Sequence, residues 1–321
     1  MINLHFKSFS QKVISLRVII ALMTFITVHS SPYFELSKWE LYYSATLADS
    51  LDPPNNLNNL DLLKLGIPSF KQDAPTNISI KPSGVNLILL SETPNEITDD
   101  EAWFEDNNLT LPTYQVPNPF QQILGNIPNR VLKNFQDNIL VQGIRYPQEE
   151  FFVYGENFSD SKYLLVYDLE KHQFTSGYDF SNYAISPTYI KSDRPYINQS
   201  LNWIVPEDNI LYFSHSHNTY AQSSHGMNAY LTALDRDSNR VIWRSQPLVC
   251  NARNFVIIDN VIVCGYGFTA EPDYLYLIDK HTGNILQQIQ LKTAPEYIIP
   301  KDNKLYVRTY DTNYVFDIQR Q

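Results

Sequence analysis

The sequence predicts an all-β fold, because a two-part motif typical of short strands and turns recurs four times in residues 137–321. The first part is an Asp-Asn pair between two apolar runs, and the second is an apolar or aromatic run that ends in Asp. The pairs are Asp137-Asn138, Asp208-Asn209, Asp259-Asn260 and Asp302-Asn303, and the runs end at Asp168, Asp235, Asp279 and Asp317. The two parts alternate strictly, which indicates a repeated supersecondary unit. The composition agrees, with 13% aromatic residues and 22 Tyr, because aromatic side chains favour strands.

Each unit is predicted to contain four antiparallel strands, named a to d in chain order. The Asp-Asn pair connects strands a and b, since Asn and Asp tolerate left-handed backbone conformations. The run-ending Asp closes strand c and opens a second turn, after which an apolar strand d follows, as in RVIWRSQPL. Four-stranded units of roughly 40–50 residues are typical of a β-propeller. We expect about five blades, with roughly four to seven compatible with the chain length.

The last unit is incomplete, because few residues follow strand c at Asp317. An unpaired sheet edge favours aggregation, so a strand from residues 34–90 is expected to supply strand d and close the ring. The candidates are residues 39–47 and 84–92. Residues 31–130 are therefore interpreted as an N-terminal region with the closing strand and room for a degenerate blade, and residues 131–321 as the repeat domain.

Residues 1–30 have the pattern of a secretory signal peptide. Lys7, Lys12 and Arg17 precede the apolar residues 18–28, and small polar residues surround Ser30. An uncleaved membrane anchor is the alternative, although this apolar stretch is short for a membrane span. We expect a secreted or periplasmic protein with no stable membrane span after cleavage.

The charge restricts the classes of partner. The formal net charge is −10 at pH 7, and removal of the three positive charges in residues 1–30 leaves −13. An acidic chain without a basic patch does not neutralise phosphates, so nucleic acids are not expected as partners. We expect a monomer whose partner is a protein or a small-molecule ligand.

Two segments carry a resemblance to a known repeat. YLTALDRDSNRVIW and YLYLIDKHTGNILQQ resemble the LYALDAKTGKVLW-type repeats of the pyrroloquinoline-quinone-like (quinoprotein-type) β-propeller superfamily, and the resemblance covers about 131–321. It implies the fold, but such repeats also build proteins without a cofactor. If the resemblance extended to the quinone-dependent dehydrogenases of the superfamily, it would imply an eight-bladed propeller with a vicinal Cys-Cys disulfide. This chain has no adjacent cysteines and is too short for eight blades, so no cofactor is expected.

The loops that connect strands b and c are the predicted binding elements. In propellers these loops lie on one face around the central channel, and here they are predicted at 144–161, 215–229, 266–273 and 309–313. Alignment on the Asn of each pair places one residue per unit at the end of strand b. These residues are Gly143, Ser214, Gly265 and Arg308. Arg308 departs from the small residues of this column and is a candidate to bind a carboxylate or sulfate-like group. The alternative is a structural ion pair with Glu271 or Asp273.

Two loops contribute further candidates. In GYGFTAEPDY, Tyr266 and Phe268 are candidates for stacking on a ligand, and Glu271 and Asp273 for polar contacts, while the alternative is an ordered loop over the channel. In FSHSHNTYAQSSHG, residues His215, His217 and His225 are weak metal-ligand candidates, and His215 is also a ligand-binding candidate. No recognised metal spacing is present, so surface histidines are the alternative.

The two cysteines, Cys250 and Cys264, form either one disulfide or two buried thiols. If Asp259-Asn260 is a two-residue turn, Cys264 faces Phe255, and a bridge requires the chain before Phe255 to curl back. Both alternatives remain open at this level.

The sequence favours an exported non-catalytic module that binds a protein or small ligand on the b–c loop face. The alternative is a secreted propeller enzyme, a hydrolase or lyase with its site at the channel mouth; a quinone-dependent dehydrogenase is less well supported. No Gly-x-Ser-x-Gly elbow, phosphate loop or paired-Cys metal site is present in the sequence. The catalytic residues of such an enzyme are therefore not identifiable.

Overall fold

The computed structural model describes residues 63–64, 84–95, 100–111, 139–156, 161–171, 173–180, 200–219 and 224–320. The predicted signal peptide (1–30) and the first closing-strand candidate (39–47) lie outside the described residues. No described helix is long and apolar enough to cross a membrane.

The described strands form four sheets, antiparallel except for one parallel pair at the edge of the first, which confirms the all-β propeller. The first blade contains β3 (Ile139–Arg145), β4 (Glu149–Gly155), β5 (Ser161–Asp168) and β6 (Gln173–Asp179), with β1 (Leu63–Lys64) paired in parallel on β6. The second contains β7 (Ser200–Glu207), β8 (Ile210–Ser216), β9 (Tyr230–Asp235) and β10 (Arg240–Arg244). The third contains β11 (Val256–Ile258), β12 (Val261–Tyr266), β13 (Tyr274–Asp279) and β14 (Ile285–Gln290). The fourth contains β15 (Pro295–Lys301), β16 (Lys304–Thr309), β17 (Thr312–Arg320) and β2 (Val85–Pro94). These four blades are at the lower end of the predicted range.

The short turns between strands a and b form as predicted in three blades. Glu207 pairs with Ile210, Ile258 with Val261, and Lys301 with Lys304, so each Asp-Asn pair is a two-residue hairpin loop. The first turn residue has a positive φ in each case, at Asp208, Asp259 and Asp302. Asp and Asn adopt this conformation at lower cost than most residues.

The first Asp-Asn pair does not fit this assignment. Strand β3 follows Asn138 directly and pairs with β4, which comes later in the chain, so Ile139–Arg145 is strand a and not strand b. The a–b turn is at 146–148 instead. The prediction for Gly143 is therefore wrong, because Gly143 lies on the inner strand. Val153 occupies its place in the column, since Glu149 pairs with Asp168 as Ile210 pairs with Asp235.

The two halves of the repeated motif meet in space. The carbonyl of the second turn residue accepts the backbone N–H of the residue that follows the run-ending Asp. These bonds are Arg236 N to Asn209 O (3.0 Å), Lys280 N to Asn260 O (3.1 Å), Ile318 N to Asn303 O (2.8 Å) and, in the first blade, Leu169 N to Gln148 O (2.9 Å). The alternation in the sequence thus reflects one contact that is repeated in every blade.

The run-ending Asp also shapes the turn that follows it. The Oδ1 atom of Asp235 accepts the backbone N–H groups of Asp237 and Ser238 (2.9 and 3.1 Å), and Asp279 makes the corresponding bonds to His281 and Thr282 (both 2.9 Å). These bonds lower the pKa of Asp235, the one to Ser238 most strongly. Six of the eight motif aspartates therefore have structural roles in turns: Asp168, Asp208, Asp235, Asp259, Asp279 and Asp302.

The core lies between the blades, because the central strands are buried on both faces. Strand β12 (VIVCGY) is buried along its whole length, whereas the outer strand β10 is mostly exposed. One apolar cluster joins the first three blades and includes Phe151, Trp203 and Phe213. A second cluster joins the third and fourth blades and includes Ile298 and Leu305. The blade-to-blade interfaces therefore supply most of the apolar burial.

The fourth blade is completed by the second closing-strand candidate, residues 84–92. Strand β2 pairs antiparallel with β17 from Val85↔Arg320 to Pro94↔Thr312. Val85 and Leu87 enter the second apolar cluster, whereas Ile88, Leu89 and Leu90 are exposed. The N-terminal part of β2 thus anchors the strand in the core.

Both cysteines are buried free thiols, the second of the two predicted alternatives. The chain before Phe255 does curl back, because the N–H groups of Asn251 and Ala252 both donate to Gly265 O. The Cys264 thiol donates to Val249 O at 2.9 Å. Burial, followed by a hydrogen bond with Cys250, raises the pKa of Cys264 well above its ordinary value, so this thiol is unreactive in the folded state.

Leu87→Ala is predicted to lower the free energy of unfolding by about 2–5 kcal/mol, because it removes a buried side chain from the strand that completes the fourth blade. Urea-induced unfolding of the full chain measures this effect. Leu90→Ala is the matched control on the same strand, and its expected change is within about 0.5 kcal/mol because Leu90 is exposed. Equal losses in the two variants would contradict the role of β2 as an anchored strand.

Candidate binding face

The b–c loops define one end of the described blades, here named the loop face. They connect β4 to β5, β8 to β9, β12 to β13 and β16 to β17, and their described residues are 156, 217–219, 224–229, 267–273 and 310–311. The last three of these loops agree with the predicted loops to within two residues. The predicted loop 144–161 is wrong, because it contains the a–b turn and all of β4.

Arg308 lies at the loop-face end of β16, but its side chain is only 3% exposed. Its Nε donates to Asp100 Oδ1 at 2.9 Å, and its Nη1 donates to Asn95 Oδ1 at 2.7 Å. The guanidinium also lies over the ring of Trp103, 5.7 Å from the centroid. Arg308 thus forms a structural ion pair, the second of the two alternatives. Its partner is Asp100 of the N-terminal region, whereas the sequence had pointed to Glu271 or Asp273.

A second arginine, which the sequence analysis did not identify, joins this cluster. Arg253 donates to Asp100 Oδ2 at 3.2 Å and to Tyr297 Oη at 2.9 Å. Glu296 lies 3.8 Å from Arg253 and 3.9 Å from Arg308. The register shift in β15 between Pro295 and Tyr297 places Glu296 in a bulge. Two arginines and two carboxylates thus form a nearly neutral group.

The helix α1 (Asp100–Asp106) brings Asp100 to the arginines. Asp100 and Glu101 lie in its first turn, where carboxylates interact favourably with the helix dipole. The Trp103 ring stacks on Tyr297 with centroids 6.4 Å apart. Lys301 donates to the carbonyls of residues 107 and 108 at the other end. The segment is held at both ends, and it covers Arg308 on the side that was expected to receive a ligand.

The four candidates in residues 266–273 lie close together. The Tyr266 hydroxyl donates to Glu271 Oε2, and burial, followed by this bond, raises the pKa of Tyr266 far above its ordinary value. Partial burial, and then the charge of Asp311, raises the pKa of Asp273 to about 6. Phe268 is half-buried and packs against the first apolar cluster. The loop is therefore ordered by its own polar and apolar contacts.

The glycines of this loop allow the next blade to approach. A Cβ on Gly265 would lie 2.3 Å from Pro295 Cγ, and one on Gly267 would lie 2.5 Å from the Cα of Ala294. Both positions therefore require glycine for blade packing. Blade packing therefore explains these two glycines without a bound ligand.

The three histidines do not form one site. His215 is buried, its Nε2 lies 3.1 Å from Thr232 Oγ1, and its ring stacks on Tyr230. Burial, followed by the charge of Arg244, lowers the pKa of His215 well below its ordinary value. Burial lowers the pKa of His217 to about 4, and His225 is exposed. The interpretation as surface histidines is wrong for the first two. No group of three His, Cys, Asp or Glu side chains suited to a metal occurs among the described residues.

Asp100→Ala is predicted to lower the free energy of unfolding by about 1.5–3 kcal/mol, because it removes a charged acceptor from Arg308, which stays buried. Chemical denaturation measures the loss. Glu105→Ala on the exposed side of the same helix is the control and should change stability little. If both variants are equally stable, Asp100 does not hold α1 in place.

Asp273→Asn is predicted to remove a contribution to stability that falls as pH rises between about 4 and 6, so stability should rise more with pH in the variant than in the wild type. In this window the folded state retains a proton on Asp273 that the unfolded state has released, so this contribution falls as pH rises. Melting temperatures of wild type and variant across the window measure the effect. Asp237→Asn, in an exposed turn, serves as the control. Parallel profiles for wild type and Asp273→Asn would contradict the raised pKa.

Comparison with known proteins found partial structural likenesses and no relative by sequence. No family model matches the chain, and no curated protein matches it. Among solved structures, BamB from Moraxella catarrhalis is similar over 55% of this chain and 42% of its own, with 12% identity and a TM-score of 0.36. The computationally designed Ika4 protein is similar over 55% of this chain and 87% of its own, with 11% identity and a TM-score of 0.34. The chain thus spans less than half of the BamB chain that it matches.

Proposed function

We propose that this chain is an exported, non-catalytic propeller module that binds a partner protein on its loop face. Several candidate ligand-binding residues of this face make their contacts within the chain. Arg308 donates to Asp100, Tyr266 donates to Glu271, and His215 is buried and neutral. Candidate residues that are already engaged within the chain suit recognition better than proton transfer.

The observation that carries the proposal is the exposure of Tyr310. It is the most exposed large apolar side chain of the described residues, at 78%, and it lies at the tip of the b–c turn of the fourth blade. Tyrosine is enriched among the residues that dominate binding energy at protein interfaces. A single ring on a convex turn does not enclose a small molecule, so a protein surface is the better-supported partner.

The turn that presents Tyr310 is held by hydrogen bonds on both sides. Thr312 N donates to Thr309 Oγ1 at 3.1 Å, and Thr309 Oγ1 donates to Thr312 O at 2.8 Å. Thr293 donates to Asp311 Oδ1 at 2.6 Å. The backbone is thus ordered before binding, which reduces the entropy lost on association. Asp311 and the nearby Asp273 favour a partner surface that is neutral or basic.

Replacement of Tyr310 by a photo-cross-linking phenylalanine derivative is predicted to yield a specific protein adduct in the native host, because the ring is the expected contact. The same residue at Asp237, in the c–d turn at the other end of the second blade, is the matched control and should yield none. Tyr310→Ala should reduce recovery of the adducted partner about tenfold, which corresponds to about 1.4 kcal/mol of binding. Equal adducts at both positions, or none at either, would overturn the binding proposal.

Export of the protein is tested separately from partner binding. We expect the protein in the periplasmic or secreted fraction, with an N-terminus near residue 31 as the signal pattern of residues 1–30 indicates. Recovery from the cytosol with residues 1–30 intact would overturn export without affecting the cross-linking result.

A further inference from the structure

Strand β2 forms an exposed apolar edge of the fourth blade. It ends the sheet order β15-β16-β17-β2, and no described strand lies on its other side. All seven residues from 88 to 94 are exposed, and Ile88, Leu89 and Leu90 are 42–53% exposed. Three of the five exposed large apolar side chains of the described residues therefore lie side by side on this strand.

The outer strands of the other blades are better covered. In the first blade β1 adds a fifth strand, because Leu63 pairs in parallel with Tyr178 of β6, and Tyr178 is buried. The outer strand β10 of the second blade contains two exposed residues, and β14 of the third contains one. The first blade thus shows how an extended segment is added to the outer edge of a blade in this fold.

Strand β2 has few of the features that usually protect a sheet edge, which are charged side chains, prolines and bulges. Glu92 is the single charged residue of 85–94, and its carboxylate is already paired with Lys292. Pro94 only ends the strand. A bulge is present at Leu90, the extra residue between Leu89 and Ser91 in the pairing with β17. The regular edge from residue 85 to residue 89 is left open to another strand.

The side chains of this edge define the chemistry of the segment that would cover it. Ile88 lies opposite Asp317 and Leu89 lies opposite Phe316, so the two aliphatic side chains point to opposite faces of the sheet. A covering segment must therefore be extended, uncharged and apolar on both faces. A second copy of this chain is disfavoured, because the formal net charge of −10 opposes self-association.

The exposed edge is continuous with the Tyr310 turn. Pro94, at the end of β2, pairs with Thr312. The backbone N–H of the next residue, Asn95, donates to Asp311 O at 2.7 Å. One partner that contacts Tyr310 therefore also reaches the C-terminal end of β2.

We propose that the partner protein of the loop face presents an extended apolar segment, which pairs with β2 as a fifth strand of the fourth blade. The outward N–H and C=O groups of β2 bind the main chain of this segment, and its side chains cover Ile88, Leu89 and Leu90. The identity of the partner rests on the proposed function. The edge itself is testable without that partner.

A synthetic peptide tests the edge directly. A short fluorescein-labelled peptide of alternating valine and threonine, with a glutamine at each end, is expected to bind the full chain saturably in fluorescence anisotropy, with a Kd of about 10–100 µM. Replacement of its central valines by proline should weaken binding at least about tenfold, because proline lacks the N–H group that strand pairing requires. Hydrogen exchange should show new protection of the backbone amides in residues 85–92.

Two matched variants assign the binding to β2. Leu90→Lys should weaken peptide binding at least about tenfold with an unchanged melting temperature, because Leu90 is exposed and a lysine on an edge strand opposes pairing. Ile242→Lys, on the outer strand of the second blade, replaces a side chain of similar exposure (51%) and should bind the peptide as wild type does. Equal binding by wild type and Leu90→Lys, protection outside residues 85–92, or no saturation would overturn the proposal.

The cross-link at Tyr310 separates this inference from the proposed function. Leu90→Lys should lower the yield of the Tyr310 adduct about tenfold, whereas Ile242→Lys should not. An adduct that is indifferent to Leu90→Lys overturns the fifth strand and leaves the binding proposal intact. Saturable peptide binding without any adduct supports the open edge and overturns the binding proposal. Dimers in sedimentation velocity, or co-sedimentation with phosphatidylcholine vesicles, that Leu90→Lys abolishes would show a different occupant and also overturn the fifth strand.

Discussion

The hydrogen bond between the a–b turn and the end of strand c sets the register of every described blade. The carbonyl of the second turn residue accepts the N–H of the residue after the run-ending Asp, as in Arg236 N to Asn209 O. Because side chains alternate between the faces of a strand, a shift of one residue here would exchange the two faces of strands b and c. The apolar clusters between the blades depend on this register.

The same position also connects neighbouring blades. Arg236 forms two hydrogen bonds with Glu149 of the first blade, and Lys280 bonds the carboxylate of Glu207 in the second. The backbone of these two residues therefore sets the register within a blade, and their side chains align one blade with the previous one. Such partly buried pairs add to the apolar contacts between blades.

Completion of the fourth blade has a consequence at the loop face. Strand β2 supplies strand d, and the chain after it brings Asn95 and Asp100 to Arg308. Without this segment, a buried guanidinium would lack its main acceptors, which is costly in a poorly solvated site. The segment that completes the sheet therefore supplies the acceptors that bind Arg308 in a structural ion pair, although Arg308 was the main candidate for ligand binding. It also forms part of a cavity of about 400 Å³ beside α1.

The sequence by itself determined the strands and the two-residue turns at Asp208, Asp259 and Asp302, because turn chemistry and strand periodicity act over a few residues. It also indicated that an N-terminal strand completes the last blade, because the last repeat lacks strand d. It misassigned the turn of the first blade, since Asp137-Asn138 has the composition of a turn but the pairing of β3 with β4 decides its place. Only the tertiary structure decided the partner of Arg308, the burial of His215 and His217, and the role of Gly265. Each of these depends on which distant segment packs against the residue, and residues 100 and 308 meet only because β2 joins the last blade.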